Sequence, residues 1–233
     1  MASLDLASPD RKKIRQIFDS IADRYDFINS FLSLRLDEGW RRRARDLVFE
    51  GTEQSILDLG TGTGRFLSLF LKDYPWKKAV GLDFSESMLQ TSRKKLPSSA
   101  SWVSADFHDL PFQPETFDLI ISSFTLRSVK DVPLFLREVH RLLRKKGKAA
   151  FLCLTRPRNA LWKLLYYPYL KYYLPLVGKL ISGNREAYQF LSQSIQTFQS
   201  PEETAKMMRE AGFSSAEFCS FTLGAATLIV GRK

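Results

Sequence analysis

The sequence predicts an α/β fold: a mostly parallel twisted sheet with helices on both faces and an antiparallel strand at its C-terminal edge. Three observations carry that expectation. From Ser55 onward, short apolar runs alternate with amphipathic helical stretches, the signature of parallel βαβ units. The first run, I-L-D-L, passes directly into G-T-G-T-G, where glycines let the backbone turn sharply and present main-chain N–H groups at a helix N-terminus. Finally, Asp58, Asp83, Asp106 and Ser123 each fall at the end of a strand-like run, the rim at which open sheets of this kind bind ligands.

Taken in order, residues Arg11 to Arg45 read as helices with a polar break, Ile14, Ile17, Phe18 and Ile21 giving one apolar face. The cluster Arg41 to Arg43 with Arg45 reads as a solvated face that complements a helix C-terminus. A strand at Ile56 to Leu59 precedes a helix from Phe66 to Lys72, and a second strand, Ala79 to Leu82, ends at Asp83. Ser85 then opens a helix. A third strand, Trp102 to Ala105, ends at Asp106, and a fourth spans Phe117 to Ser122. The helix Val132 to Leu143 is stopped by Gly147, and Lys148 to Leu154 forms a fifth strand. Ala160 to Ile181 is aromatic and aliphatic, but Pro168, Pro175 and three lysines argue against a spanning helix. Two readings of it stay open: an apolar lid or membrane-resting surface, or a helical layer packed over the sheet. A helix at Pro201 to Gly212 and two strands, Glu217 to Phe221 and Ala225 to Val230, read as a closing hairpin.

Length and composition bound the rest. A chain of 233 residues suits one large α/β domain, and 44% hydrophobic with 26% charged residues argues against wholesale disorder. Cys153 and Cys219 are far apart and form no metal-ligand spacing or disulfide framework, so no metal is expected. The opening M-A-S-L-D-L-A-S-P-D-R-K-K lacks an apolar core of secretory-signal length, which makes cytoplasmic residence the expectation. The net charge of +10 points to a polyanionic surface, nucleic acid or anionic lipid, or is a solubility feature.

The glycine turn differs from a dinucleotide fingerprint. Its third glycine comes one position early, and Asp58 places a carboxylate that would repel pyrophosphate but attract an ammonium or sulfonium. S-adenosylmethionine carries both. The spacing D-x-G-x-G-x-G resembles motif I of the class I S-adenosylmethionine-dependent methyltransferases, which implies a Rossmann-like class I methyltransferase fold. In such a site Asp83, closing the second strand, is the candidate for both ribose hydroxyls, and Asp106 with the Phe107 backbone N–H for the adenine edge.

Several further stretches are similar to the ubiquinone/menaquinone-biosynthesis C-methyltransferases: F-D-S-I-A-D-R-Y-D-F-I-N-S-F-L-S, G-L-D-F-S-E-S-M-L, A-D-F-H-D-L-P-F, S-F-T-L-R-S-V and P-L-V-G-K-L-I-S-G-N-R-E-A-Y-Q-F-L-S-Q-S-I. The resemblance implies a single methyltransferase domain over 1–233: a helical entry or lid at 1–50, a cofactor half at 51–155, an apolar helical insertion at 156–200, and a C-terminal helix and hairpin at 201–233. It implies cofactor contacts from Thr63, Asp83, Asp106 with Phe107, and Ser123, to which the turn itself adds Asp58, Gly60 and Gly62 and the entry helix adds Tyr25 as a candidate to close over the methionine end, and methyl transfer to a polyprenylated hydroquinone, demethylmenaquinol or the equivalent ubiquinone precursor. Arg127 is the catalytic candidate, since a guanidinium stays charged and can stabilise a developing phenolate. The partners implied are a lipophilic quinol and, peripherally, the inner face of the cell membrane; nucleic acid is not expected, and an oligomer is compatible with the sequence. There are departures from the family pattern. Thr125 and Ser128 stand where glycine and asparagine are usual around Arg127, Cys153 where a glutamate ends the fifth strand, and the C-terminus lacks the usual histidine. The competing readings are a methyltransferase for another lipophilic small molecule, a basic RNA-binding or RNA-modifying protein, and a cofactor-binding protein without turnover.

Overall fold

A computed structural model describes residues 25–72, 74–107, 109–157, 159–173 and 192–233. The helical reading of Ile14, Ile17, Phe18 and Ile21, together with Pro175, lies outside them. At the centre is β1 (Ser55–Leu59), buried along its whole length. It lies between β2 (Lys78–Asp83) and β4 (Phe117–Ser123), with β3 (Ala100–Ser104) beyond β2 and β5 (Leu143–Leu154) beyond β4. All of these run parallel. The remaining strands, β6 (Ser215–Phe221) and β7 (Ala226–Arg232), form the C-terminal hairpin; β7 runs antiparallel to β5 and carries β6 on its outer side. The order β3-β2-β1-β4-β5-β7-β6 reverses between β1 and β4, the position where doubly wound sheets open a crevice at their carboxyl ends.

Because side chains alternate across a strand, the apolar runs feed two cores. Ile56, Leu119, Ile121, Ala150 and Leu152 face helices α1 (Tyr25–Leu32), α2 (Leu36–Val48) and α3 (Arg65–Leu71), meeting Leu32, Trp40, Ala44, Phe66 and Phe70. Leu57, Leu59, Ile120 and Phe151 face the other way, against α5 (Val132–Leu142) and α7 (Pro201–Glu210) through Phe135, Val139 and Met208. Helix α4 (Glu86–Lys95) follows β2 and starts on Ser85, whose hydroxyl accepts from the Met88 N–H. One buried ion pair fastens the N-terminal helices to the sheet: Lys148 Nζ donates to Glu53 Oε1 at 2.7 Å and to the Val48 carbonyl at 2.6 Å.

Three local expectations need correction. Strand β3 begins at Ala100 and ends at Ser104, so Asp106 sits two residues past the strand, in a turn closed by Asp109 N–H on the Asp106 carbonyl. Helix α5 stops at Leu142 without help from Gly147; the chain enters β5 at once and bulges, so that Phe117 pairs with Leu143 while Leu119 pairs with Lys148. Gly147 is required there because a Cβ would stand 2.8 Å from the Arg144 carbonyl and 3.0 Å from that of Asp118. Arg41 does not belong to a solvated face: it is buried, pairs with Asp37 at 2.5 Å, and lies 4.8 Å from the centre of the Phe124 ring. The insertion begins as helix α6 (Ala160–Pro168), which ends at its proline and passes into one π-helical turn, Tyr169–Tyr173. Among the described residues no helix is long and apolar enough to cross a membrane.

Candidate functional site

Strand register assembles the rim. Asp83 is paired with Ser104, Leu59 with Leu82, and Asp58 with Ile121, so the ends of β3, β2, β1 and β4 finish side by side. The Ala105 N–H, bonded to the Asp83 carbonyl, brings the segment leading into Asp106 alongside β2. Phe107 is buried, its ring edge-on to Phe135, which fixes the backbone beside Asp106.

The glycine turn folds back over β2. Gly60 N–H and Thr61 N–H both donate to the Leu82 carbonyl, at 2.8 and 2.9 Å. Gly60 (φ 70°) needs its missing Cβ twice over: the angle is left-handed, and an added carbon would lie 2.5 Å from Thr125 Oγ1. Gly62 (φ 55°) has open space where a Cβ would stand, a cradle on the rim itself.

Two carboxylates face this turn in different ways. Asp83 Oδ2 accepts from the Gly62 N–H at 2.8 Å and Oδ1 from the Ser85 N–H at 2.9 Å, so one side chain holds both the glycine turn and the start of α4. Asp58 is 1% exposed; its Oδ2 accepts from the Thr61 hydroxyl at 2.8 Å, and Oδ1 has no hydrogen-bond partner. Burial, with the Asp83 charge adding to it and Thr61, Arg41 and the Leu67 backbone N–H opposing, pushes the Asp58 carboxyl up to about 7. A buried acceptor oxygen left over beside an open glycine cradle fits a ligand that brings its own cation, and so fits the ammonium-bearing end of S-adenosylmethionine.

The other sequence-predicted residues fall around these. Thr63 is buried, but its hydroxyl donates to Asp26 Oδ1 at 2.6 Å, and Asp26 Oδ2 takes Lys95 Nζ at 2.7 Å. Arg65, the next side chain but one, donates to Ser30 at 3.0 Å and Asp37 at 2.9 Å. The glycine turn therefore holds α1 down over the rim, and Tyr25 is the first residue of that helix. On the opposite flank Ser123 ends β4, and Phe124 after it takes a left-handed backbone (φ 62°). Arg127, in the 3₁₀ turn Leu126–Ser128, reaches out of the rim to donate to Ser194 at 2.9 Å. Ser194 lies on the helical stretch 192–197, within the insertion. Cys153 lies near it on β5; burial pushes its thiol up to about 12, against the opposing charge of Arg127.

Sequence reasoning missed Thr61, which holds Asp58, and Thr125, which roofs Gly60. Thr61 had a readable signal, a hydroxyl three residues after a strand-end carboxylate; Thr125 stood out only as a departure from the family's glycine, and its place over Gly60, 65 residues away, is set by folding.

With this geometry in place, comparison with known proteins is decisive. Residues 7–233 match the ubiE/COQ5 methyltransferase family. This chain belongs to that family. A demethylmenaquinone methyltransferase of Roseiflexus castenholzii is 37% identical over 231 residues, covering 98% of this chain and 97% of that one. Another, from Thermotoga maritima, is 37% identical over 204 residues, covering 87% and 89%. Among solved structures, a SAM-dependent methyltransferase from Thermotoga maritima superposes with a TM-score of 0.67 at 22% identity, covering 94% of this chain and 98% of that one. At that identity the likeness speaks to the fold, which is that of the class I methyltransferases. As a ubiE/COQ5 family member the protein is a methyltransferase.

Proposed function

We propose that this ubiE/COQ5 family member transfers a methyl group from S-adenosylmethionine to a ring carbon of a polyprenylated hydroquinone, with demethylmenaquinol the preferred acceptor. The observation that carries the reading is the unpartnered, buried Oδ1 of Asp58 beside the open cradle at Gly62. Near-full-length similarity to two proteins named demethylmenaquinone methyltransferase supports the choice of acceptor. We read residues 1–233 as one domain, because the described parts of the N-terminal helices and the insertion rest on the same sheet.

When bound, the cofactor supplies an electrophilic methyl group on a sulfonium. Asp58 would face its ammonium, while Gly60, Gly62 and Thr63 would line it with backbone; Thr63 acts through its main chain, since its hydroxyl serves Asp26. Asp83 would receive the ribose hydroxyls, Asp106 and the Phe107 N–H the adenine edge, and Ser123 the β4 side, with Tyr25 closing from α1. Alignment of acceptor carbon and methyl is the main contribution, and it requires no strong base. Cys153 does not supply one, because a thiol held near 12 stays protonated at neutral pH. Arg127 would stabilise the phenolate that develops as the acceptor hydroxyl gives its proton to water, with Ser194 fixing its guanidinium; the ring carbon takes the methyl as the carbon–sulfur bond breaks, and its own proton then leaves to water.

The test is incubation of the purified protein with labelled S-adenosylmethionine, a panel of demethylated quinols and bulk RNA. Label is expected in a quinol; label in RNA alone, or in neither, overturns the proposal. Arg127→Ala is expected to lower kcat by about 10²–10³ while cofactor affinity, followed by calorimetry, stays within about twofold. Full turnover by that variant would remove Arg127 from the chemistry.

A further inference from the structure

Around the N-terminal end of α2, three separate pieces of chain hold apolar side chains in solvent. Leu34 in the α1–α2 turn and Leu223 in the β6–β7 turn are each 69% exposed, and Tyr172 in the π-helical turn is 64% exposed. They share one face, because Trp40 Nε1 on α2 donates to Thr222 Oγ1 at 2.8 Å and the Tyr169 hydroxyl donates to the Leu32 carbonyl. Both leucines are held at positive φ, 52° and 54°, where glycine or asparagine is the low-energy choice and a bulky side chain is not. Folding gains nothing from burying them. Leucines kept at a disfavoured angle on two exposed turns call for a partner that buries them.

The surrounding charge says which partner. Arg35 is exposed beside Leu34, Lys171 is exposed beside Tyr172, and Arg43 lies 5.9 Å from the Phe221 ring centre next to the β6–β7 turn. From Asn159 to Ser182 the sequence holds no acidic residue. A second copy of this chain is a poor occupant: across a two-fold axis these cations would meet their own likes, and three loop tips supply little of the ~800 Å² per partner that stable interfaces bury. Apolar tips bordered by Arg35, Lys171 and Arg43, with Glu38 in the first turn of α2 paired to Arg42, match the acyl boundary and headgroups of an anionic bilayer. Since β6 points the same way as β5, the β6–β7 turn stands at the carboxyl rim, the same rim as the glycine turn.

We infer that this face, built from Leu34, Leu223 and Tyr172 with Arg35 and Lys171, docks the protein on anionic lipid with the rim toward the bilayer. The inference deepens the proposed function and rests on it for the reason a bilayer is visited at all, namely that a polyprenylated quinol resides there.

The test is co-sedimentation of the full chain with vesicles of phosphatidylcholine alone and of phosphatidylcholine with phosphatidylglycerol. Binding is expected to the anionic vesicles and to weaken with salt. Leu34→Asn combined with Leu223→Asn keeps side chains suited to positive φ, so Tm should hold, while vesicle affinity falls about a hundredfold, about tenfold for each leucine. The double variant should methylate a short-tailed, water-soluble demethylated quinol like the wild type, yet lose turnover on a long-tailed quinol in vesicles. Wild-type protein staying in the supernatant, undiminished vesicle binding by the double variant, or a solution dimer that the double variant abolishes would each overturn the surface. Intact vesicle binding with no methylation of either quinol would overturn the acceptor assignment and leave the surface standing.

Discussion

Asp83→Ala is expected to weaken S-adenosylmethionine binding by at least about a hundredfold, because two or more charge-assisted hydrogen bonds, at about 1.5–3 kcal/mol each, end on this carboxylate. Its oxygens already accept from Gly62 N–H and Ser85 N–H, and the proposed ribose contact adds to them. The loss therefore acts twice, removing a ligand contact and releasing the turn that shapes the cradle. Asp83→Asn keeps one acceptor oxygen but turns an N–H toward one of the two donors, so its affinity should fall between alanine and wild type. Calorimetry reads the affinity, and a 2′-deoxyribose analogue of the cofactor separates the two effects. The analogue should bind wild type more weakly than the parent compound, and should bind Asp83→Ala no worse than the parent does. An alanine variant whose Kd lies within about threefold of wild type would dismiss the ribose role.

How far this site could be read from the sequence follows from the range of the interactions that build it. Strand β1 is legible because a central strand is buried on both faces and reads as a nearly continuous apolar run, interrupted by Asp58; the glycines after it are legible because left-handed backbone at Gly60 and Gly62 admits little else. The edge strand β3 is the counterexample. Only Ala100 in it is buried, so its boundaries leave a weak imprint, and the sequence pattern puts its end nearer Asp106 than it is. Arg41 shows the same limit in another form. Within its own stretch it is one of a run of arginines; Asp37, one helical turn earlier, is a readable partner, but only the Phe124 ring, brought to it by folding, marks it out as the buried one. The contacts that close the site, Thr63 to Asp26, Arg127 to Ser194 and Thr125 over Gly60, span 37 to 67 residues. No periodicity encodes such separations.

Asp58 carries the second large prediction, and its sign follows from burial. The folded-state value, about 7, lies above the ordinary 3.8, so the folded protein holds this proton more tightly than the unfolded chain does. Stability from the protonated group is complete below the ordinary value and is lost as pH rises toward 7, leaving a buried carboxylate with one oxygen unsatisfied. Asp58→Asn should therefore stabilise the ligand-free protein above pH 7, by roughly 2–4 kcal/mol, with no such gain near pH 4. Cofactor binding should move in the opposite sense. A ligand ammonium prefers the ionised carboxyl, so affinity should climb up to about tenfold per pH unit from about pH 5.5 and level off just above 7, before the ligand's own amino group titrates near about 8. In Asp58→Asn that climb should vanish, with affinity at pH 7.5 reduced roughly a hundredfold as a charge-assisted contact is lost. Thermal melts across pH read the first effect and calorimetry the second. A variant that is less stable than wild type at every pH would mean that Asp58 serves the turn through Thr61 and not the ligand. A wild-type affinity that is flat between pH 5.5 and 7.5 would mean that no cation meets its free oxygen.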